Sequence, residues 1–120
     1  MKKIHICNDF SSVPSGRFYT DGKASGEQFR EELLKPAIAS LKSNEKIMII
    51  LDEGVEGYGS SFLVEGFAGM VKYGYINSPE LLDKLELKFT DNDFSFYKKK
   101  IIEYIESAKY NSEEYISTKK

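Results

Sequence analysis

The sequence predicts an α/β layer sandwich with at least three strands joined by right-handed crossovers. Two observations carry this prediction. The five consecutive apolar residues from Ile47 to Leu51 are typical of a central strand. Apolar residues at helical spacing follow between Phe62 and Val71, and strand and helix patterns alternate in the same way before and after this unit.

The sequence pattern of the N-terminal segment predicts one short strand and a second, briefer one. From Lys3 to Asn8 apolar and polar residues alternate, which favours a strand near a sheet edge. Arg17 to Tyr19 predicts a second, brief strand, because a turn signal follows directly at Asp21-Gly22.

The first long helix is predicted to begin after Ser25. Gln28, three residues later, completes a capping-box pattern, and an apolar stripe continues to Leu41. Pro36 interrupts this stripe and lacks a backbone N–H, so we expect a kink or a break near Lys35.

The second half of the chain repeats the alternation. The central helix is predicted to end near Gly74, and Ser78 to cap a short helix that precedes a strand at residues 85–89. Asp93 is a suitable cap for a last amphipathic helix. Polar residues dominate from Asn111 onward, where we expect the end to fray.

Composition favours one domain, residues 1–110, followed by a polar tail, residues 111–120. The 17 basic and 19 acidic residues give a net charge of −2, which disfavours a nucleic-acid partner or an anionic membrane. Cys7 is the only cysteine, and no apolar segment is long enough for a signal-peptide core or a spanning helix, so we expect a cytoplasmic protein. His5-x-Cys7 alone is too little for a metal site, and we expect no metal or cofactor.

The loop between the central strand and its helix is the main candidate site. It begins at Asp52, contains Gly54, Gly57 and Gly59, and leads into Ser60 and Ser61 at the predicted helix start. Helix-terminal N–H groups and the helix dipole favour negative charge at such a position. The loop lacks the Gly-Lys-Ser/Thr ending of a nucleotide-binding phosphate loop. The serines therefore act either as a helix cap or as phosphoacceptors, and an anion site for a small ligand is a further alternative.

A second polar cluster surrounds the start of the first helix and contains Arg17, Asp21, Ser25 and Arg30. One interpretation is turn chemistry followed by a capped helix. The other is a surface patch for docking or anion binding, because arginine binds carboxylate and phosphate in a bidentate manner. With one histidine and no acid-base pair singled out by spacing, we do not expect an enzyme.

Two motifs, GRFYTDGKASGEQFREELLKP and ILDEGVEGYGSSFLVEGFAGMVKYG, together resemble a STAS-like family of bacterial proteins. The resemblance extends over most of residues 1–110. It implies a variant of the STAS fold, a layer sandwich with a mixed β-sheet and helices packed mainly on one face. In the anti-sigma-factor antagonists of that fold, a partner kinase phosphorylates the serine of an Asp-Ser pair at a helix start. Ser60 matches that serine, whereas Gly59 stands in place of the aspartate.

The resemblance implies a non-catalytic regulatory module that binds a histidine-kinase-like ATPase or an anti-sigma factor. Ser60 and Ser61 are its candidate phosphoacceptors. The residues expected to contact a partner or an anion lie in both motifs and are Asp52, Gly57, Tyr58, Gly59, Phe62, Glu65, Arg17, Asp21, Ser25 and Arg30. The alternative is a small-ligand or nucleotide-binding protein that uses the glycine loop as an anion site, and the oligomeric state is left open.

Overall fold

The computed structural model describes residues 2–120 and contains one three-stranded sheet flanked by helices. The strands are β1 (Lys2–His5), β2 (Ile47–Ile50) and β3 (Leu85–Lys88), and β2 lies in the centre. The predicted α/β class is therefore confirmed, and the apolar run of five residues supplies the central strand.

All three strands pair in parallel, with Ile4, Ile49 and Leu87 in register across the sheet. The mixed sheet implied by the resemblance is therefore wrong for residues 2–120. The segment expected to add a strand near Arg17 instead leads into a helical turn at Tyr19–Asp21. The carboxylate of Asp21 accepts the N–H groups of Arg17 and Phe18 at 3.1 and 2.8 Å, so these groups are not free for a strand ladder.

Four helices connect and cover the strands: α1 (26–39), α2 (60–72), α3 (Ser78–Lys84) and α4 (Ser95–Ser107). The predicted stop after α2 is confirmed, because Gly74 has a φ of +82°. Single helical turns lie at Ile6–Asp9, Tyr19–Asp21 and Asn92–Phe94. Within residues 2–120, none of the helices has the length and apolar character needed to cross a bilayer.

Helix α1 passes Pro36 without a break, so of the two expected outcomes the break is wrong, and a local irregularity lies directly before the proline. The N–H of Lys35 donates to the carbonyl of Arg30, five residues earlier, and Arg30–Leu34 forms a widened turn. Lys35 itself keeps helical angles, φ −59° and ψ −50°. The widened turn directly precedes the proline, which is a known way for a helix to adjust its hydrogen-bond ladder locally.

Two helix caps differ from the sequence prediction by one or two residues. Asn77, rather than Ser78, caps α3, and its side chain accepts the N–H of Glu80 at 3.0 Å. Asp91, rather than Asp93, caps the helical turn before α4. In both places several capping residue types are adjacent, so the sequence does not decide which one takes the cap.

The helices pack mainly on one face of the sheet, as expected. Ile4, Ile49 and Leu87 point to this face and are 4%, 0% and 6% exposed. Lys3, directly before Ile4, and Lys88, directly after Leu87, are exposed on the opposite face. The core therefore lies between one sheet face and the helices, and β2 is its most buried strand.

The C-terminal segment after α4 has no regular structure, but the prediction that it frays is wrong. The N–H of Asn111 donates to the carbonyl of Val71 at 2.9 Å, and the N–H of Glu113 donates to that of Lys72 at 3.1 Å. The segment therefore runs along the end of α2. The domain boundary at residue 110 stays a prediction.

Candidate functional site: the β2–α2 loop

Asp52 is the first polar residue after β2 and joins two loops at the carboxyl edge of the sheet. Its side chain is 3% exposed. The Oδ2 atom accepts three hydrogen bonds, from the N–H of Thr90 at 2.7 Å, the hydroxyl of Thr90 at 3.1 Å and the N–H of Asp91 at 2.7 Å. Burial alone would raise the pKa of Asp52, but these hydrogen bonds outweigh it and hold that pKa below its usual value. Asp52 thus fixes the loop after β3 to the end of β2.

The chain turns sharply at Glu53 and Gly54, the two residues after Asp52. Glu53 and Gly54 have φ values of 53° and 114°. A Cβ on Gly54 would lie 2.6 Å from the Sγ of Cys7, so a side chain would not fit there. The loop therefore passes closely over the helical turn that follows β1.

The buried side chain of Tyr58 supports the loop from the core. Its hydroxyl donates to the carbonyl of Leu51 at 2.6 Å, and its ring packs against the rings of Phe62 and Tyr97. Burial raises the pKa of Tyr58 well above its ordinary value, so the phenol stays protonated. A Cβ on Gly57 would lie 2.9 Å from the Tyr97 hydroxyl, so the loop passes close to the end of that side chain. Tyr58 and Phe62 are therefore core residues that support the loop.

The start of α2 differs from the cap that the sequence suggested. Gly59 is the cap residue, with φ −78° and ψ 146°, and no side chain accepts a capping hydrogen bond there. Ser60 is the first helical residue and is exposed, whereas Ser61 is half-buried. The interpretation of either serine as the helix cap is therefore wrong, and the Ser60 hydroxyl lies at the surface of a helix start.

The second polar cluster is mostly structural. Ser25 caps α1 as predicted, because its Oγ accepts the N–H of Gln28 at 3.1 Å, and it is 0% exposed. Arg30 is also 0% exposed, so its expected position on the surface is wrong. Only Arg17 and Asp21 are exposed, on the turn before α1. The structure thus does not assemble one surface patch from this cluster.

Arg30 instead joins α1 to α2 in a buried ion pair. Its Nη1 atom lies 2.9 Å from Oε2 of Glu65 and also donates to the Glu65 carbonyl at 2.7 Å. Its Nε atom donates to Glu31 at 2.8 Å. The guanidinium lies 4.6 and 4.8 Å from the ring centroids of Tyr73 and Tyr115, one on α2's C-terminal side and one on the C-terminal segment. Although burial opposes the charged form, the carboxylates raise the pKa of Arg30 above its ordinary value.

Sequence reasoning missed a third buried carboxylate, Glu27, which is 0% exposed. It accepts hydrogen bonds from the Tyr115 hydroxyl at 2.6 Å and from the N–H of Thr118 at 3.0 Å, and the N–H of Tyr19 donates to it at 3.0 Å. Desolvation raises the pKa of Glu27, but these donors and the Thr118 hydroxyl lower it below the usual value overall. Glu27 therefore holds the C-terminal segment against α1.

The sequence contains a pattern that could have predicted the buried ion pair of Arg30 and Glu65. Arg30 lies four residues before Leu34, and Glu65 lies three residues after Phe62, so each charge shares a helix face with a core residue. Opposite charges on two apolar faces indicate a buried pair. Among residues 2–120, no cluster of three or more His, Cys, Asp or Glu side chains could hold a metal ion.

The predicted contact residues thus fall into three groups by exposure. The buried ones support the fold and are Asp52, Tyr58, Phe62, Glu65, Ser25 and Arg30. The half-buried ones are Gly57 and Ser61, and the exposed ones are Gly59, Ser60, Arg17 and Asp21. A partner that contacts this loop in the present conformation would therefore meet Gly59 and Ser60.

Comparison with known proteins gives one match. The model of a family described as a STAS-like domain of unknown function (DUF4325) matches residues 25–93. This span is more than half of the 120 residues and runs from the cap of α1 to the loop after β3. No curated protein and no solved structure matches the chain.

Proposed function

Because the chain belongs to the STAS-like family of domains of unknown function, we propose that it is a non-catalytic regulatory module that binds another protein through the start of α2. The proposal places Ser60 at the centre of the contact, as the residue that switches binding when it is phosphorylated. The partner class that fits is a histidine-kinase-like ATPase or an anti-sigma factor, by analogy with antagonists of the STAS fold.

The observation that carries the proposal is the free position of Ser60. It is exposed, it is the first residue of a helix of 13 residues (60–72), and Gly59 has taken the cap. A Cβ at Gly59 would meet no atom within 4 Å, so the space beside the serine is open. The Ser60 hydroxyl is therefore accessible to a kinase, and its phosphorylation would not remove a helix cap.

Electrostatics favour a phosphate at this position within the free protein. A phosphoserine carries about −1.5 to −2 charges, and the N–H groups and dipole of a helix start stabilise negative charge. The same charge must lose its hydration when a partner covers it, which weakens an interface that fits the neutral serine. Phosphorylation would thus be tolerated by the fold and would act on the complex.

The neighbouring surface suggests what a partner would contact. Glu53, Glu56, Gly59 and Ser60 are exposed along the loop, and the first two are acidic. For a phosphate on Ser60 to weaken the complex, the partner groups that face Ser60 itself must be uncharged or acidic, even if basic groups elsewhere contact Glu53 and Glu56.

The proposal is tested by capture experiments from the native host with wild type, Ser60→Ala and Ser60→Glu as baits. We expect Ser60→Ala to retain the partner recovered with the wild type and Ser60→Glu to lose it, at least ten-fold by quantitative mass spectrometry. Intact-mass analysis of the wild-type bait should show one added phosphoryl group in part of the sample, localised to Ser60.

Ser95→Glu is a matched control, because Ser95 is also an exposed first residue of a helix. It places the same charge at another helix start and should leave capture unchanged. Equal capture by all of these baits, with no phosphate on Ser60, would rule out the switch.

A further inference from the structure

The outer edge of β3 is an open strand edge. In the part of the chain that the structure describes, β3 pairs only with β2. The N–H of Leu51 donates to the carbonyl of Lys88 at 2.8 Å, so the backbone groups of Lys88 point towards β2. Because these groups alternate along a strand, the N–H and C=O of Leu87 and Leu85 point away from the sheet. An unpaired row of this kind is a template for another strand.

A groove runs along this edge. All four residues of β3 line a cavity of about 330 Å³, so the cavity lies against the backbone and not against one sheet face. Leu82 on α3 and Lys98 and Ile102 on α4 form its other walls. The groove therefore has room for side chains of an added strand and an apolar wall for them to contact.

The sequence of β3 and the residue after it is complementary to itself when two copies run antiparallel. With Leu87 opposite Leu87 of a second copy, Glu86 lies opposite Lys88, and Leu85 lies opposite Phe89. This register also pairs the residues whose N–H and C=O groups point outward, which is what an antiparallel ladder requires. Opposite charges directly across a strand pair stabilise it, and like charges destabilise it.

The outward side of α4 shows the same symmetry. Lys98 and Lys99 lie towards its start and Glu103 and Glu106 towards its end, with the half-buried Ile102 between them. A two-fold axis through the β3 pair would place the two α4 helices antiparallel on the same side of the sheet. The basic half of each helix would then face the acidic half of the other.

We propose that the chain forms a homodimer in which two β3 strands pair antiparallel and make one continuous six-stranded sheet. The occupant of the groove is a second copy of this chain, because the strand charges and the helix charges are both self-complementary under one two-fold axis. The residues that line this interface include none of the β2–α2 loop, so the proposal does not depend on the proposed switch.

Charge reversal tests the register directly. Light scattering coupled to size exclusion at micromolar concentration should give the wild type about 27 kDa, twice the 13.7 kDa of one chain. Glu86→Lys and Lys88→Glu each replace two attractive pairs by two repulsive ones, and we expect each to raise the dimer dissociation constant about ten-fold or more. The double variant Glu86→Lys/Lys88→Glu restores opposite charges and should dimerise like the wild type.

Glu86 is half-buried and Lys88 exposed, so these changes should preserve the fold, and circular dichroism checks this. Lys42→Glu, an exposed reversal before β2, is the control and should not change the mass. A monomeric wild type would overturn the proposal. A dimer whose dissociation constant in both single variants is unchanged from that of the wild type would also overturn it, and so would a double variant that is not rescued.

Discussion

Replacement of Arg30 by methionine should lower the free energy of unfolding by about 3 kcal/mol. Arg30 and Glu65 are both 0% exposed, and their side chains meet at 2.9 Å. Removing one partner of a buried pair leaves an uncompensated charge, which typically destabilises by about 3–5 kcal/mol. We expect the lower end of this range, because Tyr73 still donates to Glu65 at 2.6 Å and the Nζ of Lys72 lies 3.5 Å away.

The assay is urea unfolding followed by circular dichroism at neutral pH. In a separate thermal melt, a loss of about 3 kcal/mol in a chain of 120 residues corresponds to a fall in melting temperature of roughly 10 °C. Lys35→Met is the matched control on the same helix, since the Nζ of Lys35 lies 3.8 Å from Glu31 and its side chain is 45% exposed. Such an exposed pair contributes less than about 1 kcal/mol.

A double variant separates charge from packing. Arg30→Met/Glu65→Leu removes both charges, and it should recover part of the stability lost in Arg30→Met alone. If Arg30→Met is within about 1 kcal/mol of the wild type, the ion pair does not hold α1 to α2 as argued.

Two further predictions concern the supports of the site. Because the folded pKa of Asp52 is lowered, its contribution is fully present above the ordinary value of 3.8 and is lost as the pH falls through the folded pKa. Asp52→Asn should therefore reduce the acid-induced loss of stability, and an unchanged slope of stability against pH below that value would contradict this. Gly26→Ala should destabilise by about 1–3 kcal/mol, because a Cβ there would lie 2.6 Å from the backbone carbonyl of Phe62. Gly59→Ser meets open space and should stay within about 0.5 kcal/mol in the same urea titration, and similar losses in both variants would refute the packing argument.

The sequence was sufficient for features that depend on local patterns. The apolar run that became β2 and the cap of α1 at Ser25 were both predicted from a few neighbouring residues. The cap of α2 was not, because Gly59, Ser60 and Ser61 are all acceptable cap residues and only the path of the loop selects Gly59.

The buried polar contacts could not be predicted from one segment at a time. Glu27 is hydrogen-bonded to Thr118, 91 residues later, and a polar C-terminal segment gives no local sign that it will pack. Arginine is rarely buried without a partner, so α1 alone favours a surface position for Arg30, and its burial depends on Glu65 on another helix. Long-range pairing of polar groups was therefore the main source of error.

The supports of the loop limit how a phosphate on Ser60 could act. Asp52 holds one end of the loop through Thr90, and Tyr58 holds the other through the Leu51 carbonyl. Both anchors are buried, and neither contacts the exposed Ser60 hydroxyl through a hydrogen bond. Moving the loop would break the hydrogen bonds to Asp52 Oδ2 and from the Tyr58 hydroxyl, whereas adding charge at the surface breaks none of them. A switch at Ser60 would therefore work by changing the surface that a partner meets, with the fold of the domain left in place.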